Sequence, residues 1–123
     1  MGWIAVDFDG TLAHHGGTIK EPGLPIPRML ERVKTWLAAG KDVRIFTARV
    51  GCTGVMSFGT QTSFLDDEKF CEEQRTIIDA WCLRYLGRTL PITATKDFAT
   101  ESIWDDPAVR VECNTGRIIS YSE

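Results

Sequence analysis

The stretch "GWIAVDFDGTLAHH", residues 2–15, decides the fold. Trp3 to Val6 form an apolar run without alternation, the pattern of a strand buried on both faces of a parallel sheet. This strand is expected over residues 3–7. It ends in Asp7 and Asp9, with only Phe8 between them. Side chains alternate along a strand, so this spacing sends both carboxylates to one side and turns Phe8 into packing between sheet and helix. Gly10 permits the bend that follows. Two carboxylates this close repel each other unless something positive stands between them.

The chain continues as an alternation of strands and helices. Residues 13–27, rich in Gly and Pro and carrying His14 and His15, read as a loop with a short flap at 13–26. Pro27 suits the first turn of a helix and Gly40 its end. Met29, Leu30, Val33, Trp36 and Leu37 follow the helical period between them. "DVRIFTAR" gives a second strand over 42–47, again ending in polar groups. Residues 50–65 carry three glycines and no period, so they read as a functional loop or lid. A second helix is expected over about Asp66–Leu86, with Phe70, Ile77, Ile78, Trp81 and Tyr85 on one face and Gly87 as its stop. "LPITATK" (90–96) and "SIW" (102–104) supply two more strands, and "VRVECNTGRIISY" a terminal hairpin. The order of elements predicts one three-layer α/β domain, Rossmann-like, with a mostly parallel central sheet. Trp36, Trp81 and Trp104 are expected in its core.

Bulk composition excludes several classes. The chain has 123 residues, 43% hydrophobic and 25% charged, enough for one domain with a real core. No apolar run approaches the ~20 residues that cross a bilayer, and the N-terminus lacks the pattern of a signal peptide. A net charge of −3 does not indicate nucleic-acid binding as the main task. Four scattered cysteines, with no CxxC, read as reduced thiols in a cytoplasmic protein.

Ligands of parallel α/β sheets bind at the carboxyl ends of the strands, which makes the strand endings the place to look for chemistry. The first ends Asp7-Phe8-Asp9, the second Phe46-Thr47-Ala48-Arg49, and the fourth Asp105-Asp106. Lys96 follows the third. Gathered at one edge, these would give four carboxylates, a hydroxyl and an ammonium. Oxygen ligands without His or Cys point to a hard cation, Mg²⁺. An open Mg²⁺ site suits a phosphate, and a carboxylate there can act as nucleophile in phosphoryl transfer. The ammonium, the Thr47 hydroxyl and the N–H groups of the Gly10 turn would neutralise the phosphoryl oxygens.

"DFDGTL", "FTAR", the lone lysine and the "IWDD" ending come in the order of motifs I to IV of the haloacid dehalogenase superfamily. Over roughly residues 3–110 the chain resembles a small, capless (C0-type) phosphatase of that superfamily. The resemblance implies a Mg²⁺-dependent hydrolase acting on a phosphomonoester through an aspartyl-phosphate. Asp7 would be nucleophile and metal ligand, and Asp9 general acid/base with its backbone carbonyl on the metal. Thr47 would hold the phosphoryl group and Lys96 neutralise charge, while Asp105 and Asp106 complete the metal site. Gly10, Thr11, Ala48 and Arg49 would contact substrate. An open, capless site fits a bulky phosphorylated substrate, either a small molecule or a macromolecular end, or an oligomer in which a neighbouring copy closes the pocket.

Other readings compete. A 3′-phosphate polynucleotide phosphatase is a more specific form of the same chemistry, with Arg49 on a phosphate. A receiver-like signalling module shares the length, the acidic pair, a Thr and a Lys, but it needs an Asp ending the third strand. In a calcium loop Leu12 would stand where glycine is required. Arg49 divides between substrate contact and surface ion pair; His14 and His15 lie near the site and divide between a solvated flap, the favoured reading, and substrate contact.

Overall fold

A computed structural model describes residues 2–51 and 64–120, the side chains of 64–67 excepted. The expected lid at 50–65 lies largely outside them. The order is β1 (Trp3–Val6), α1 (Pro27–Ala38), β2 (Asp42–Phe46), α2 (Phe64–Leu86), β3 (Ile92–Thr93) and β4 (Thr100–Trp104), with a single 3-10 turn at Ala48–Val50. The fold is α/β, with one four-stranded sheet ordered β3-β2-β1-β4 and parallel throughout.

All four residues of β1 are buried, as an unbroken apolar run at the middle of a parallel sheet requires. Ile4 and Val6 pair with Val43 and Ile45 of β2. These four side chains share one core with Met29 and Val33 of α1 and Ile78, Trp81 and Cys82 of α2. Both helices therefore cover the same sheet face, as two right-handed crossovers running in one direction must. The other face carries Trp3, Ala5 and Arg44, and among the described residues no helix lies on it. There Arg44 stacks 4.6 Å over the Trp3 ring, and the Trp3 indole donates to Asp97 at 2.9 Å.

Local signals explain the element ends. Pro27 opens α1, and at its close Gly40 takes φ +77°. Gly40 N–H donates to Leu37 and Lys41 N–H to Trp36, the paired bonds of a Schellman motif. Gly87, at φ +76°, ends α2.

Three expectations need correction. The buried line of α2 is Cys71, Gln74, Ile78, Trp81 and Cys82, and Phe70 is exposed. Cys71 is disulfide-bonded, so the reduced-thiol reading fails for it; Cys82 and Cys113 are free. The terminal hairpin shrinks to one antiparallel bridge, Val111 with Ile118. Glu112 and Arg117 close its turn with a 2.6 Å ion pair. No helix among the described residues is long and apolar enough to cross a membrane.

Candidate active site

From β1 the chain moves outward through β2 to β3, then returns to lay β4 on the far side of β1. The carboxyl ends of β1 and β4 thus form a topological switch point, where open parallel sheets leave a crevice. Asp7 follows β1 there, and Asp105 and Asp106 follow β4. The Asp7 N–H donates to Trp104 O at 2.8 Å, tying the two strand ends together. Asp7, Asp105 and Asp106 each present a carboxylate oxygen within 4.8 Å of the others. They line a cleft of about 420 Å³ together with His15, Phe46, Thr47, Ala48, Ala94 and Pro107.

Burial and neighbouring carboxylates act together on this trio. Burial first, then the charge of Asp105 and a hydrogen bond with Asp106, push the Asp7 carboxyl up to about 7, against the opposing bond from Thr11. The Thr11 hydroxyl donates to Asp7 Oδ2 at 3.2 Å. Burial also raises Asp105. For Asp106 burial is outweighed by hydrogen bonds with Asp7 and His15, which hold it low. Without a cation, a shared proton on Asp7 relieves the repulsion; a divalent ion would do so without the proton.

Thr47 leaves β2 to cap the 3-10 turn. Its buried Oγ1 accepts the Arg49 N–H at 3.2 Å, which leaves the hydroxyl proton to donate into the cleft. Gly10 has φ +86°, and a Cβ there would collide with the His15 imidazole and the Asp106 carboxylate. The close approach of these groups to the backbone needs glycine.

Asp9 behaves differently from Asp7. The strand stops at Val6, so the expected same-side alternation does not reach Asp9. Its carboxylate is gripped from both oxygens by Arg49, Nε to Oδ2 and Nη2 to Oδ1, each at 2.7 Å. Phe8 fills the place assigned to it: fully buried, 5.1 Å edge-on to Trp81. Of the expected residues, Asp7, Thr47, Ala48, Asp105 and Asp106 line the cleft; Asp9, Arg49 and Lys96 are not among the lining groups. Lys96 is exposed.

One residue is favoured as solvated flap in the sequence and one is absent from its site residues. His15, for which substrate contact is the second reading, stands 3.5 Å from Asp106 at the cleft. Gln74 is buried and bonded to Arg49 at 2.8 Å. Its signal was a lone amide on the apolar line of α2.

No family model, curated protein or solved structure matches this chain.

Proposed function

We propose that the chain is a Mg²⁺-dependent phosphomonoester hydrolase of haloacid dehalogenase type, with its sheet as the central layer of a reduced three-layer domain. The observation that carries this reading is the convergence of Asp7, Asp105 and Asp106 at the switch point beside the Thr47 hydroxyl. The donor set is all oxygen and fits a hard cation. Asp7, Asp105 and Asp106 would hold Mg²⁺, which when bound supplies positive charge against the phosphoryl oxygens.

The chain's own groups then divide the chemistry. An Asp7 carboxylate oxygen bonds to phosphorus as the P–O ester bond breaks, and its electron pair leaves with the alcohol oxygen. Asp9, entering the step in its acid form, would give that oxygen its proton and become the carboxylate that then takes one from the water attacking the aspartyl-phosphate. The P–O bond to Asp7 breaks and inorganic phosphate is released. Thr47 Oγ1–H and the N–H groups of the Gly10 turn hold the phosphoryl oxygens. Arg49 is bonded to Asp9, so of the two features that favour a polynucleotide end, Arg49 and the open site, only the open site is left to support it here. The order β3-β2-β1-β4 also differs from the 2-1-3-4-5 order of receiver-like domains.

The test is phosphate release from an aryl phosphate with Mg²⁺. EDTA or Asp7→Asn should abolish it. Wild-type turnover in Asp7→Asn sinks the assignment.

A further inference from the structure

The Arg49 guanidinium is built into more than an ion pair. Beyond its two bonds to Asp9, Nη1 donates to Gln74 Oε1 at 2.8 Å and to Ile19 O at 3.0 Å, and Nη2 donates to Thr18 O at 3.2 Å. Gln74, 1% exposed, returns a bond from Nε2 to Ile19 O at 3.2 Å. The Arg49 side chain is itself 14% exposed and lies 5.5 Å over the Phe8 ring. One rigid, planar fork thus joins the turn after β1, the flap and α2. Every donor it offers in these bonds meets an acceptor of this chain, so a phosphate would have to displace one of them.

A bidentate guanidinium fixes a carboxylate in both direction and rotation, which a lysine ammonium cannot do. Each carboxylate oxygen still has a second lone pair that can take up a proton, and the acid so formed can later release it. We propose that Arg49, braced by Gln74, is a positioning residue that aims Asp9 for proton transfer, and that it does not bind the substrate's phosphate. The inference rests on the phosphohydrolase reading above. Proton transfer by a placed side chain contributes about 100- to 10,000-fold, and a displacement of about 1 Å can cost about 100-fold.

A merely structural residue would lower turnover of every ester alike, whereas a residue acting through Asp9 affects only esters whose leaving oxygen needs a proton. The experiment compares kcat/KM for an alkyl phosphate and for dinitrophenyl phosphate, since this ratio reports departure of the leaving group. Arg49→Lys should lower the alkyl value about 100-fold and the dinitrophenyl value by less than about threefold. In an Asp9→Asn background Arg49→Lys should cause no further loss, as expected of groups acting as one unit. Gln74→Leu, which leaves Asp9 and Arg49 intact, should give a weaker loss of the same selectivity; it decides the matter if Arg49→Lys melts below the assay temperature. Equal losses on both esters, no loss, or losses additive with Asp9→Asn overturn the inference while the phosphohydrolase reading stands. A wild type without Asp7-dependent turnover of either ester overturns both.

Discussion

Asp7→Asn should make the metal-free protein more stable at alkaline pH while removing its activity. In the folded chain the Asp7 carboxyl sits at about 7 against an ordinary 3.8, with burial as the first cause and Asp105 as the second. Between those values the folded state binds more protons than the unfolded one. Stability therefore falls as pH rises through this window and levels off above about pH 7. Each pH unit would cost about 1.4 kcal/mol for a group titrating alone. Asp7 is partly exposed and shares its charge with two neighbours, so screening reduces the total to about 2 kcal/mol. Asparagine imitates the neutral acid, can accept the Thr11 hydroxyl and can donate to Asp106, but never acquires the charge. Thermal melts in EDTA should show the variant level with wild type near pH 4.5. At pH 8 it should melt about 6–10 °C higher, for a domain of this size. Mg²⁺ at 100 times its Kd should stabilise wild type by about 2.7 kcal/mol and erase that advantage. A difference in Tm that stays constant between pH 4.5 and 8, or a variant less stable at pH 8, would refute the reasoning.

Two further perturbations probe the frame around the cleft. Gly10→Ala forces a side chain into φ +86° and drives its Cβ against His15 and Asp106; chemical denaturation should show a loss of about 1–2 kcal/mol, with activity falling alongside. Trp81→Phe keeps the ring against Phe8 but removes the 2.9 Å bond from the indole to Gly23 O. It should cost about 1 kcal/mol and speed proteolytic cleavage within 16–21, whereas unchanged cleavage there would show that this bond does not hold the flap.

What could be read in the sequence was what depends on local pattern. The buried run at Trp3–Val6, Pro27 and Gly40 at the ends of α1, and the polar endings of β1, β2 and β4 each carry a short-range signal, and parallel pairing then brings Asp7, Thr47, Asp105 and Asp106 to one edge. The misreadings depend on distance or on a single residue of phase. Phe70 and Cys71 are neighbours on α2, and apolarity alone favours the larger ring; packing buried the cysteine, with Gln74 one turn on. Arg49 and Asp9 lie 40 residues apart. Nothing in either neighbourhood announces the pair, because the alternation that would aim Asp9 beside Asp7 ends with the strand. Lys96 sits on the link from β3 to β4, where the direction of a side chain follows from a path across the sheet and not from a period.

The two aspartates of "DFD" show what this arrangement asks of the chain. Asp9 has its counter-charge built in: a guanidinium with both of its bonds at 2.7 Å and a buried amide behind it. Asp7 has none among the groups lining the cleft, and it stands beside two further carboxylates. A domain's whole stability is about 5–15 kcal/mol, so about 2 kcal/mol for charging a partly buried carboxyl beside two others is a substantial fraction. A chain concerned with stability alone could remove it with one amide. Three carboxylates at the switch point are the arrangement that the proposed cation would offset. The contrast between a carboxylate held by a guanidinium and one beside two further carboxylates is what the proposed division of labour builds on: proton transfer for Asp9, metal and phosphorus for Asp7.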